Sequence, residues 1–105
     1  MQGGVLRVVF ETAGSELPED AKPHLKELAQ KLLQEDDTRI QLLAYADGDS
    51  SESSRARRLS LARALKVRGY LIDQGIRSTR MDVRALGNNV PDGPPDRVDI
   101  QAAPR

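Results

Sequence analysis

Two side chains of opposite charge offer the most specific chemistry in this sequence. Asp47 follows the apolar run Arg39–Ala44 and opens a segment built of Gly, Asp, Ser and Glu; Arg63 lies further on, inside a helix-patterned stretch. A carboxylate at a strand end and a guanidinium on the next helix can lie a few ångströms apart. Such a pair suits a zwitterion, because the carboxylate takes an ammonium and the planar guanidinium fork takes a carboxylate in bidentate fashion. The same spacing also allows a plain Asp–Arg salt bridge. Other chemistries lack their parts. His24 is the single histidine, on the first turn of a helix among charged neighbours, where an ordinary surface role is expected. Metal centres and nucleophilic triads need partners of defined type, and the chain has no cysteine. The serines of positions 50–54 have no base near them in sequence, and Asp47 and Asp49 sit in a solvated loop rather than in the burial that tunes a general acid. No glycine-rich phosphate loop follows a strand. The inventory points to binding rather than catalysis, with no cofactor and no metal.

The elements that must position these residues follow from periodicity. Val5–Phe10, rich in β-branched residues, predicts a first strand. A turn at Gly14 and Ser15 leads to Leu17–Asp20, where Pro18 and two acids predict a helix start and Pro23 falls harmlessly in the first turn. Ala21, Leu25, Leu28, Ala29, Leu32 and Leu33 recur at helical steps and predict a helix over 18–34 that ends in Glu35–Asp37. Arg39–Ala44 predicts a second strand and Asp47–Ser54 a loop. A second helix is predicted over 55–74, with Ser60, Ala64, Val67 and Leu71 on its core face, Leu61, Leu65 and Ile72 widening that face, and Gly75 as its stop. Met81–Leu86 and Arg97–Ala102 predict the third and fourth strands, joined by the Gly87–Pro95 loop and free to pair either way. The order is β-α-β-α-β-β, an α/β chain whose strands alternate with helices and so favour parallel pairing.

Composition sets the frame. At 105 residues, 38% hydrophobic and 30% charged, the chain fits one domain, 1–105, with one modest core. Net charge is zero, so no overall field recruits nucleic acid or an anionic membrane. Three aromatics without a stacking cluster argue further against RNA. No apolar run is long enough to span a bilayer, and Met1–Gly4 does not resemble a signal peptide. The chain is therefore expected to be cytosolic, or a domain excised from a longer exported or membrane-anchored protein. One asymmetry stands out: Arg55, Arg57, Arg58, Arg63, Lys66 and Arg68 share the second helix, with no acid between them.

Several of these residues together resemble a known family, the OmpA-like domain of outer-membrane porin-type proteins, the Pal lipoprotein and the MotB stator protein. Leu59-Ser60-Leu61-Ala62-Arg63-Ala64, then Val67, Leu71 and Gly75-Ile76, is similar to its central signature L-S-x-x-R-A-x-x-V-x-x-x-L-x-x-x-G-I. Val9-Phe10 with Ser15-Glu16-Leu17 resembles its opening strand and helix entry, and Arg80 with Gly87 and Pro91 its later R…G-x-x-x-P stretch. Arg97-Val98-Asp99-Ile100 stands where the family has N-R-R-V-E-I. The likeness runs from about Val8 to Ile100. It implies two helices packed on one face of a mixed four-stranded sheet. It also implies non-catalytic binding of peptidoglycan through the zwitterionic diaminopimelate of the stem peptide, at the periplasmic face of the cell envelope. By position in the motifs the ligand-binding residues would be Arg63, Asp47 and Tyr45 (the family's G-H-T-D falls on Ala44-Tyr45-Ala46-Asp47) and Arg97. The sequence departs from the pattern at three places: only the Asp of G-H-T-D survives, Ala56 replaces an Asn before the central signature, and Pro95-Asp96 replaces the first two residues of N-R-R. The alternative implied by those departures is a scaffold that docks another envelope protein, with the basic helix 55–68 as its surface. Direct membrane insertion by this domain is not expected.

Overall fold

The computed structural model describes residues 6–35 and 37–103; the expectations for Val5, Asp36 and the Met1–Gly4 run lie outside them. The elements are β1 (Leu6–Val9), α1 (Lys22–Gln34), β2 (Ile40–Tyr45), α2 (Ser53–Asp73), β3 (Met81–Gly87) and β4 (Arg97–Ala102). The four strands form one sheet in the order β1-β4-β2-β3. β2 and β3 run parallel, joined by the α2 crossover, while β4 is antiparallel to both β1 and β2. The expected mixed four-stranded sheet with two helices is therefore the fold. β3 and β4, which the sequence left free to pair, are not neighbours: β4 enters the middle of the sheet between β1 and β2.

Strand alternation assigns the two faces. Val8 on β1, Ile40, Leu42 and Ala44 on β2, Met81 on β3, and Val98 and Ile100 on β4 point into the core, where they meet Leu25, Leu28, Ala29 and Leu32 of α1 and Ala64, Val67 and Leu71 of α2. Each fully buried aliphatic side chain contributes about 1.5–3 kcal/mol relative to exposure, so this one layer of contacts holds the helices to the sheet. Arg80 ties the end of α1 to the sheet side: its guanidinium donates to the carbonyls of Leu32, Glu35 and Thr38 at 2.5–3.0 Å.

Several local expectations change. The first helix starts as a single 3-10 turn, Glu19–Ala21, before α1 proper, and Leu33 is half exposed rather than in the stripe. The 47–54 segment is not all loop. Asp49 caps a 3-10 turn at Ser50–Glu52, accepting from the Ser51 amide at 3.0 Å while the Glu52 carboxylate accepts from the Asp49 amide at 3.4 Å, and α2 begins at Ser53. On α2 the core face is Ala56, Ser60, Arg63, Ala64, Val67 and Leu71. Leu61, Leu65 and Ile72 do not widen it; they are 42%, 46% and 39% exposed. Their period turns them away from the sheet, where no element among the described residues covers them.

Candidate ligand site around Arg63 and Asp47

Arg63 is wholly buried, although it neighbours Ala64 at what the sequence marks as the border of the apolar stripe. A buried cation needs hydrogen-bond partners and a counter-charge, and three chain segments converge to supply them to all three guanidinium nitrogens. Nε donates to the Gly14 carbonyl at 2.7 Å and Nη2 to the Glu11 carbonyl at 3.1 Å. Nη1 donates to the Tyr45 carbonyl at 3.1 Å and to Asp96 Oδ1 at 2.8 Å. The Phe10 ring lies beneath the guanidinium, its centroid 5.3 Å away. The turn that aims the two carbonyls depends on Ala13, which adopts a left-handed φ of 62° and lets the Gly14 amide close back on the Glu11 carbonyl at 2.9 Å.

The carboxylate opposite Arg63 is thus Asp96, not Asp47. Asp47 is exposed, and its Oδ1 accepts from the following amide of Gly48 at 3.0 Å. It nevertheless reaches the site through its main chain, because the Asp47 amide donates to the same Asp96 Oδ1 at 3.1 Å. One carboxylate oxygen therefore rests between a guanidinium nitrogen and a backbone N–H. Ser60 fixes the frame around it: its hydroxyl donates to the Arg57 carbonyl at 2.8 Å and accepts from the Gly87 amide at 3.1 Å, and the Gly87 carbonyl accepts from Ala46 at 2.8 Å.

Tyr45 joins this site to a second buried arginine. Its side chain alternates to the outer face of the sheet, and Arg97 stacks over its ring at 4.6 Å. Arg97 is also anchored: Nε donates to Asp99 Oδ2 at 3.0 Å, and Nη1 to the carbonyls of Asp92 and, at 2.7 Å, Pro94. Asp99 in turn accepts from Arg7 Nε at 2.8 Å across the β1–β4 pair. Gly93, with φ of 77°, lets the 88–96 loop lie on this network, since a Cβ there would meet Arg7 Nη1 at 3.2 Å.

Of the four residues singled out from the sequence, the structure brings Tyr45 and Arg97 together and joins Tyr45 to Arg63 through its carbonyl; it keeps the Asp47 carboxylate apart from Arg63. Asp96, Phe10 and Asp99 were missed. A signal for Asp96 existed, since an acid stands where the resembled motif carries a base, and a reversed charge beside a buried arginine implies a new internal partner. Among the described residues there is no cluster of acids and histidine able to hold a metal ion, and no helix long and apolar enough to cross a membrane.

Comparison with known proteins matches this architecture. The OmpA-like domain of FopA1 from Francisella tularensis superposes with a TM-score of 0.85 at 20% identity, over 95% of this chain and 72% of that one. The peptidoglycan-associated lipoprotein from Burkholderia pseudomallei gives 0.79 at 19% identity, over 91% and 87%. The periplasmic domain of Helicobacter pylori MotB gives 0.77 at 19% identity, over 97% and 76%. No curated protein is a significant match by sequence. The model of the OmpA family matches residues 9–98, which include both helices, β2 and β3 and the start of β4, and the chain belongs to that family.

Proposed function

We propose that this domain binds peptidoglycan without cleaving it, at the periplasmic face of the cell envelope, and that it holds the diaminopimelate of the stem peptide. One observation carries the reading. Asp96 Oδ1 sits 2.8 Å from Arg63 Nη1 and 3.1 Å from the Asp47 amide, so these two donors already form a seat for a carboxylate. A ligand carboxylate entering that seat exchanges for Asp96 with the donors kept satisfied, and the exposed Asp47 carboxylate beside it receives the ligand's ammonium. Tyr45 supports the seat through its main-chain carbonyl to Arg63, and Arg97 fixes Tyr45 by stacking on its ring from the outer face of the sheet.

A second reading is a scaffold whose ligand site is closed and which docks another envelope protein. It is favoured by the complete burial of Arg63, all three of whose guanidinium nitrogens already donate. Titration with two muropeptides, followed by amide NMR shifts, separates the readings. A lysine-type stem peptide lacks the terminal carboxylate of diaminopimelate and serves as the control. The first reading expects shifts at Asp47, Asp96 and Gly14 with the diaminopimelate form, weaker ones with the lysine form, and their loss in Asp47→Ala. Absence of shifts up to about 1 mM, where binding free energy is only about 4 kcal/mol, overturns it in favour of the second.

A further inference from the structure

Three of the large apolar side chains that the described residues expose lie on one helix, at positions 61, 65 and 72 of α2. On a helix advancing about 100° per residue they fall within about 40° of one another and extend over about 16 Å of axis. Steps of four and seven residues are those of a helix–helix seam, and the core stripe of α2 is centred about 130° round the helix from it. Single exposed leucines are ordinary; a seam over three turns is not part of the core that the described residues form. Its borders are all of one sign. Arg68 lies within about 20° of Leu61 on one flank and Arg58 within about 20° of Leu65 on the other. From Ser53 to Ile72 α2 has no acid, and among the described residues Arg57, Arg58, Lys66 and Arg68 form no ion pair, whereas Arg55 is held by Glu52 at 2.5 Å.

We infer that the outer face of α2 is a docking surface for an acidic amphipathic helix of a partner protein, which lays an apolar seam on Leu61, Leu65 and Ile72 and sets carboxylates against Arg58 and Arg68. Charge selects this occupant. A second copy of the same face would set arginine against arginine, a like-charge juxtaposition that opposes pairing. A partner with Glu on the flanks of a leucine seam cancels the repulsion and gains directional guanidinium–carboxylate contacts. The inference does not depend on peptidoglycan binding, since the Arg63–Asp96 seat opens on the other side of α2.

The test uses the 105-residue chain and two synthetic helices of about 20 residues, each with the same leucine seam, one flanked by Glu and one by Lys. The Glu peptide is expected to shift the amides of α2 around Leu61, Leu65 and Ile72, to bind more weakly as salt rises from about 0.05 to 0.5 M, and to lose about tenfold or more in affinity against Leu61→Ser/Leu65→Ser. That double variant changes only exposed side chains and is expected to keep the melting temperature. Equal binding of the Lys peptide, shifts confined to the Asp47–Asp96 region, or no binding at about 1 mM peptide each overturn the inference. So does dimerisation of the free chain that the same double variant abolishes, which would make a second copy the occupant.

Discussion

Replacing Arg63 by alanine tests whether this guanidinium holds the fold as well as the site. The side chain is wholly buried, and its partner Asp96 has a side chain only 12% exposed. Alanine would leave that carboxylate with the Asp47 amide as its remaining donor and would strip the buried Tyr45 carbonyl of its Nη1 contact. Removing one partner of a buried ion pair costs about 3–5 kcal/mol. For a domain of this size about 1 kcal/mol moves the midpoint by about 4–8 °C, so a fall of about 15 °C or more is expected in a thermal melt. Arg63→Lys is expected to recover little, because one ammonium cannot span carbonyls presented by residues 11, 14 and 45. Adding Asp96→Ala to Arg63→Ala should restore part of the loss, since no charge is then left unpaired; the non-additivity of such contacting pairs is about 0.5–3 kcal/mol. Asp47→Ala, at an exposed side chain, should melt within about 0.5 kcal/mol of the parent. An Arg63→Ala variant melting within about 2 °C of the parent, well under the shift of about 4–8 °C for 1 kcal/mol, would refute the view that three segments are pinned on this side chain.

Two further outcomes follow from other close contacts. Gly87→Ala should lower the unfolding free energy measured in urea by about 1–3 kcal/mol, because φ is +58° and the new Cβ would stand 3.1 Å from the Arg57 main chain, where nothing flexible can yield; an unchanged midpoint would contradict the close packing of β3 on α2. Asp49 is held below the usual carboxylate range, first by the Ser51 hydroxyl at 2.6 Å and then by the Ser51 amide. A depressed folded-state pKa contributes stability that is present above the unfolded value of about 4 and is lost as pH falls through the folded value. Melts of Asp49→Asn against parent should therefore differ at neutral pH and converge in acid, and a constant difference across that range would refute the cap.

The fold was largely legible because two helical stripes and four β-rich runs, with a crossover between β2 and β3, leave few topologies. What stayed hidden was set by contacts distant in sequence. Nothing near β4 announces that it inserts between β1 and β2, since that depends on the register pairing Val98 with both Val8 and Ala44. Leu61, Leu65 and Ile72 were read into the core because apolarity alone does not distinguish the two sides of α2. Ser60, counted with the apolar stripe, is instead the hydrogen-bonding link between α2 and the end of β3.

The departures from the family pattern make physical sense as one coordinated change. An acid at position 96, where the family motif carries a base, gives the buried Arg63 an internal counter-ion and gives the Asp47 amide an acceptor. The small residues Ala46 and Ala56, where the resembled motifs carry polar side chains, are both buried and packed. Arg97, meanwhile, lies on the outer face, where the Tyr45 ring and Asp99 hold it. Retention of Asp47, exposed and free of any cation among the described residues, is not required by this internal network, which uses only its main chain. Because the fold uses only the Asp47 backbone amide, its exposed carboxylate remains available to solvent, which is the property the proposed contact with a ligand ammonium requires.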